Sequence, residues 1–210
     1  MTLTRLGVWC GVLAPLLWVL LLGVVGTMRP EFSHVTNYIS ELGERGSRTE
    51  FMVRFWAFGF TGVLYLCFAL TYLLRLRADA LGTVAALLLF LDGVGRIGAG
   101  VYACDPGCTD GSANQALHHA FATLGFSCGI LAAILWGISF ARVGQGLGWA
   151  AYTVGSGLLS LLCLVLMIWR GQALNLIGLL EHVASAVLSV WLLVFALRLL
   201  GRSELVQATI

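Results

Sequence analysis

Long apolar runs alternate with short polar breaks along this chain, and the spacing predicts the architecture. A helix needs about 20 apolar residues to cross about 30 Å of hydrocarbon. Six runs meet that length, at about 7–28, 51–74, 80–103, 114–141, 146–169 and 175–199. Short breaks at 75–79, 142–145 and 170–174 predict antiparallel neighbours. The expectation is an all-α, polytopic integral membrane protein, a single six-helix domain over residues 1–210. The first run continues past the length of a signal-peptide core and lacks a small-x-small cleavage site, so it reads as a retained helix.

The polar stretch 29–50 holds one further element. Over Ser33–Gly43, Val35, Tyr38, Ile39 and Leu42 form an apolar stripe at helical spacing, and His34, Asn37, Glu41 and Glu44 a polar one. Ser33 can cap its start and Gly43 end it. This predicts a short interfacial helix lying as a lid over the bundle, the alternative being a surface-seeking linker.

Composition sharpens the class. The 210 residues are 60% hydrophobic and 10% charged, with no room for a second soluble domain. Every one of the 12 basic residues is Arg, and no basic run interleaved with aromatics suggests nucleic acid. With the N-terminus inside, cytoplasmic ends hold Arg5, Arg75, Arg77, Arg142, Arg198 and Arg202, against Arg29, Arg45, Arg48 and Arg170 outside. That positive-inside bias predicts both termini cytoplasmic, with the outer side being periplasm, cell exterior or an organelle lumen; the plasma membrane is the expected location. Stretches 29–50 and 104–113 then lie on the outer side.

Charge inside a membrane is costly and marks a candidate site. Arg54, Asp92, Arg96, His118, His119, Glu181 and His182 interrupt the apolar runs, and all fold into the outer half. At about 1.5 Å per residue, Asp92 is deepest, about 16 Å from its outer helix end. Asp92 and Arg96 are four apart on one helix face, in a run of glycines that lets helices approach. They read as a structural ion pair or as a head-group site, Arg54 and Arg96 facing an anion.

Adjacent histidines point about 100° apart, so of His118 and His119 one faces the bundle and the other its rim. Asn175 is seven before His182, which places both on one face. A zinc ion is a candidate cofactor, with His118, His182 and His34 as ligands, although no HxxxH or HExxH spacing supports it. The alternative is a set of hydrogen-bonded polar residues. Ser40 with His34 is a further candidate for nucleophilic chemistry.

Cys104-Asp-Pro-Gly-Cys108 is a compact turn, and on an oxidising face a disulfide there would fix Asp105 beside the pocket. Cys10, Cys67, Cys128 and Cys163 sit in apolar runs as packing residues. Gly125, Gly129, Gly155 and Gly157 read as packing faces, which also offer a route to a homo-oligomer.

The stretch Phe32-Ser-His-Val-Thr-Asn-Tyr-Ile-Ser-Glu-Leu-Gly43, followed by Arg96-Ile-Gly-Ala-Gly100, Cys104-Asp-Pro-Gly-Cys108 and His118, resembles a bacterial and archaeal six-pass family, domain of unknown function 998. The resemblance spans essentially the whole chain. That family looks distantly similar to the Frag/DRAM/Sfk group of eukaryotic six-pass proteins. Members of that group are tied to lipid remodelling, lipid distribution and autophagy. The resemblance implies a lipid-facing role and brings no catalytic residues with it.

Three expectations for function follow. The first is a lipid- or amphiphile-binding protein, with Arg54 and Arg96 at the head group and the 34–42 segment as lid. The second is an intramembrane lipid hydrolase or acyl transferase, in which His118, His182, Glu181 and Asp92 carry the chemistry. His34, Asn37, Ser40, Glu41, Asp105, His119 and Asn175 would then line the pocket and lid. The third is a structural membrane subunit.

Overall fold

A computed structural model describes residues 2–76, 79–109 and 111–202. Six long helices account for most of them: α1 (Leu3–Thr27), α2 (Thr61–Arg75, led in by a π-helical segment Met52–Phe60), α3 (Ala80–Val101), α4 (Ala113–Arg142), α5 (Leu147–Leu174) and α6 (Ile177–Gly201). Each is long and apolar enough to span a membrane, and the protein is a multi-pass membrane protein. There is no strand among the described residues. Neighbours in sequence are neighbours in space, and α6 returns against α1 to close the ring.

Local chemistry sets the helix starts. Side-chain oxygens of Thr2, Asp79 and Ser112 accept the Arg5, Gly82 and Gln115 amides at 3.3, 2.9 and 3.1 Å, satisfying N–H groups that open α1, α3 and α4. Asp79 lies outside the spans. Partial burial works against its charge, but the Ser139 hydroxyl and the Gly82 amide outweigh that and hold its carboxyl below the usual range.

The two ends of the bundle differ. At the end holding the start of α1, Phe195 packs among Phe68, Tyr72, Trp136 and Phe140, a closed aromatic core. At the other end, the ends of α1 and α3 meet the starts of α2, α4 and α6 under the 29–50 segment. There the Leu179 amide donates to the Val35 carbonyl (3.0 Å), and the Arg45 amide to the Cys104 carbonyl (2.9 Å). This segment-covered end holds the buried charge.

Three expectations need correction. The 33–43 segment is not a continuous amphipathic helix. Only Ile39–Gly43 is helical, as a single 3-10 turn, and residues before it form turns. The reason is competition from side chains: the Ser33 amide donates to Asn37 Oδ1 (2.9 Å) and the Tyr38 amide to Glu41 Oε1 (2.8 Å). Ile39 and Leu42 are buried as expected, whereas Val35 is exposed. Second, the opening nine residues of the second span are π-helical, Met52–Phe60. An apolar run carries no mark of that winding. Third, α5 continues to Leu174, and Asn175 ends it in the left-handed conformation (φ 57°), so Asn175 lies outside α6 and shares no helix face with His182. Arg77, counted among the inner-end arginines, lies outside the described residues.

Candidate functional site

The Asp92–Arg96 pair occupies the centre of the segment-covered end. Arg96 Nε donates to Asp92 Oδ1 at 3.0 Å, with the two side chains 10% and 4% exposed. Glycines make room for it. Gly95 on α3 meets Gly125 on α4 backbone to backbone, and a Cβ at Gly129 would come within 2.8 Å of Asp92 Oδ2. The Arg96 guanidinium lies over the rings of Tyr65 (4.3 Å) and Trp18 (4.9 Å), a cation–π environment that the spacing of α3 alone gave no means of finding. Trp18 is itself held by its Nε1–H donating to Ser185 Oγ at 2.9 Å.

His118, on α4, is 3% exposed. Its Nδ1 faces the carbonyl oxygens of Tyr102 (2.7 Å) and Ala99 (3.0 Å) at the end of α3. Both are acceptors only, so Nδ1 carries the ring proton and Nε2 is left as an acceptor. Nε2 faces the hydroxyl of Ser40 at 2.9 Å. Ser40 is therefore partnered with His118, 78 residues away, and not with His34. Glu181 of α6 accepts the Ile39 amide through Oε2 at 2.8 Å and so anchors the turn that presents Ser40.

The Cys104–Cys108 disulfide closes its five-residue turn, with Cys104 Sγ 3.3 Å from the Ser40 carbonyl oxygen. The turn is tied down further by Arg45 on Asp105 (3.2 Å), the Asp105 amide on Gln115 Oε1 (2.8 Å), and the Gly107 amide on Glu44 (2.5 Å). Glu44 also meets Arg29 (3.0 Å), whose Nη1 donates to the Glu41 carbonyl (2.5 Å). Glu41 Oε2 accepts from Asn37 Nδ2 at 2.6 Å. These links clamp the covering segment over the bundle.

The remaining expected site residues lie elsewhere. Arg54 donates to the Gly100 and Val101 carbonyls (both 2.8 Å) and pairs with Glu50, so it caps the end of α3 and does not join Arg96. His119 is exposed on the rim beside Gln115 Nε2 (2.7 Å). His34 and His182 meet each other, Nδ1 to Nε2 at 2.9 Å. The three histidines expected around a zinc thus divide into a pair and a separate His118. No group of three or more His, Cys, Asp or Glu is placed to hold a metal among the described residues. Gly125, Gly129 and Gly157 pack within the chain, while Gly155 faces open space.

Two hollows meet at Ser40. A small cavity of about 40 Å³, room for roughly three waters, is bounded by Trp18, Ser40, Phe58, Asp92, Arg96 and Glu181. A groove of about 590 Å³ runs between α4 and α5, from Ser40, His118 and Glu181 to Ile134 and Leu161. Ser40, Ala122, Phe126 and Glu181 border both. Phe58 comes from the π-helical segment, and its ring also packs edge-on against Trp18 at 5.2 Å.

The model of the family described as protein of unknown function (DUF998) matches residues 12–198, and the chain belongs to that family. No curated protein and no solved structure matches it.

Proposed function

We propose that this member of the DUF998 family binds a membrane lipid or similar amphiphile, its acyl chain in the α4–α5 groove and its polar end at the cavity beside Arg96. The observation that carries this reading is that groove and cavity share Ser40 and Glu181 on their walls. One molecule can therefore have an apolar tail in the first and a polar head in the second. The groove volume of about 590 Å³ falls within the usual range for ligand sites. Along α4 it extends from Ala122 to Ile134, roughly 18 Å by helical rise, the reach of a long acyl chain. Its α5 wall is exposed Leu161, Val165 and Ile168, which in a bilayer face acyl chains already. Arg96 supplies positive charge: Nε is engaged by Asp92, and the residue lines the cavity.

The protein sits in the plasma membrane with both termini cytoplasmic and the segment-covered end outside. The arginine distribution supports this orientation. So does a disulfide at that end, which belongs on an oxidising face.

Photo-crosslinking tests the reading. Vesicles containing the protein and a diacyl phospholipid with a diazirine in one acyl chain are irradiated, and labelled peptides are mapped. The expected labels concentrate on 122–134 and 161–168. Leu161→Trp with Val165→Trp, which fills the groove, removes them. Labelling spread evenly over all six helices, unchanged by that variant, refutes the proposal.

A further inference from the structure

We infer that Ser40 and His118 form a nucleophile–base pair that transfers the acyl group of a lipid ester, an inference that rests on the groove being a lipid site. The geometry is specific. A hydroxyl becomes a competent nucleophile when a base within hydrogen-bond reach takes its proton and a third group fixes that base. Ser40 Oγ lies 2.9 Å from His118 Nε2, within the required range. The Tyr102 and Ala99 carbonyls fix Nδ1 as the protonated nitrogen and hold the ring's orientation. They take the part that a carboxylate plays in a Ser-His-Asp triad. Ser40 also stands where cavity meets groove, so an ester carbonyl at the head of a groove-bound chain reaches its hydroxyl.

The step balances without any further reagent than water. Ser40 Oγ forms a bond to the acyl carbon as His118 Nε2 takes its proton, and the carbonyl π pair moves onto oxygen. Arg96 lines the same cavity as Ser40 and would supply the positive charge for this oxygen. Collapse breaks the ester C–O bond, and the departing alkoxide takes the proton from Nε2. The alcohol portion leaves and the acyl group stays on Ser40. Water, or the hydroxyl of a second lipid, then loses its proton to Nε2 and attacks the acyl carbon; the bond from that carbon to Oγ breaks, and Oγ takes the proton back from Nε2, restoring Ser40. Water gives hydrolysis and the second lipid gives acyl transfer. The small cavity, lined by Ser40, has room for that water.

A buried Ser–His hydrogen bond that only fastens the covering segment has the same static geometry, so the test must read reactivity. The detergent-purified full chain is treated with a dodecyl fluorophosphonate, and the adduct is located by intact mass and peptide mapping. In parallel, release of fatty acid from a fluorogenic diacyl phospholipid in mixed micelles is measured for wild type, Ser40→Ala and His118→Gln. The inference expects one adduct, on Ser40. It expects ester turnover reduced at least 100-fold in S40A and by about 10²–10⁴-fold in H118Q. S40A leaves His118 Nε2 without its partner, which costs stability, so it should stay folded with a melting temperature a few degrees below wild type and keep the diazirine labelling of the groove. Groove labelling with no adduct on Ser40 and no loss of turnover in S40A overturns the inference and leaves the lipid-binding reading standing. An adduct on Ser40 without groove labelling supports the nucleophile and overturns the binding reading.

Discussion

Removing the positive charge of Arg96 should destabilise the bundle far more than removing both charges of its pair. Asp92 and Arg96 are 4% and 10% exposed, and their contact is 3.0 Å. Arg96 is the only cation paired with Asp92 among the described residues. At charge centres about 4 Å apart and an effective dielectric of about 20, the attraction is about 4 kcal/mol. That figure agrees with the about 3–5 kcal/mol lost when one partner of a buried pair is deleted. Arg96→Met keeps an apolar stem against Trp18 and Tyr65 but strands the carboxylate. At roughly 2–4 °C per kcal/mol for a chain of this size, its melting temperature in detergent should fall by about 10 °C. Asp92→Asn with Arg96→Met leaves no isolated charge and should recover at least half of that loss. The assay is thermal unfolding followed by exposure of the buried cysteines Cys128 and Cys163 to a thiol-reactive dye. A single variant that melts within 1 °C of wild type, or a double variant as unstable as the single, would refute the reasoning.

Other outcomes follow from the same geometry. Gly95→Ala places a methyl 2.5 Å from the Gly125 nitrogen and 2.7 Å from the Phe121 carbonyl, neither of which can rotate away. It should cost about 1–3 kcal/mol, read in the same melt, by forcing α3 and α4 apart. Cys108→Ser opens a five-residue loop, worth about 2 kcal/mol by the chain-entropy relation. It should also speed amide exchange around Ser40, and unchanged exchange there would show that the disulfide does not hold the turn. Glu50 lies just outside the second span. The Gly46 amide, at 2.7 Å, and then Arg54 hold its carboxyl below the usual carboxylate range. A depressed folded value means that its stabilisation is complete above the ordinary carboxylate range and is lost as pH falls through the folded value. Exchange of peptides over 44–56, divided by the intrinsic amide exchange rate at each pH, should therefore rise as pH is lowered in wild type, with a smaller rise in Glu50→Gln.

The six spans were legible because crossing hydrocarbon demands length and apolarity that nothing else in a chain this size requires. The gathering of charge at one bundle end was legible for the converse reason: Asp92, Arg96, His118 and Glu181 are too costly to leave in lipid. The i, i+4 rule was enough to join Asp92 to Arg96. It says nothing of what lies across the bundle. Ser40 and His118, and His34 and His182, meet over separations of 78 and 148 residues, which local periodicity does not encode. Arg54 drew attention as a charge near the lipid, yet its donors serve carbonyls at the end of α3, a need visible only once that helix end is placed beside it. The covering segment kept its buried Ile39 and Leu42 and lost its helix, since Asn37 and Glu41 bond nearby amides instead.

A structure of the protein at high resolution in lipid nanodiscs tests the central claim most directly. The account predicts an ordered acyl chain between α4 and α5, passing Phe126 and ending in a polar group beside Ser40 and Arg96. An α4–α5 groove filled by the protein's own side chains, or bounded by lipid that never reaches Ser40, would contradict it.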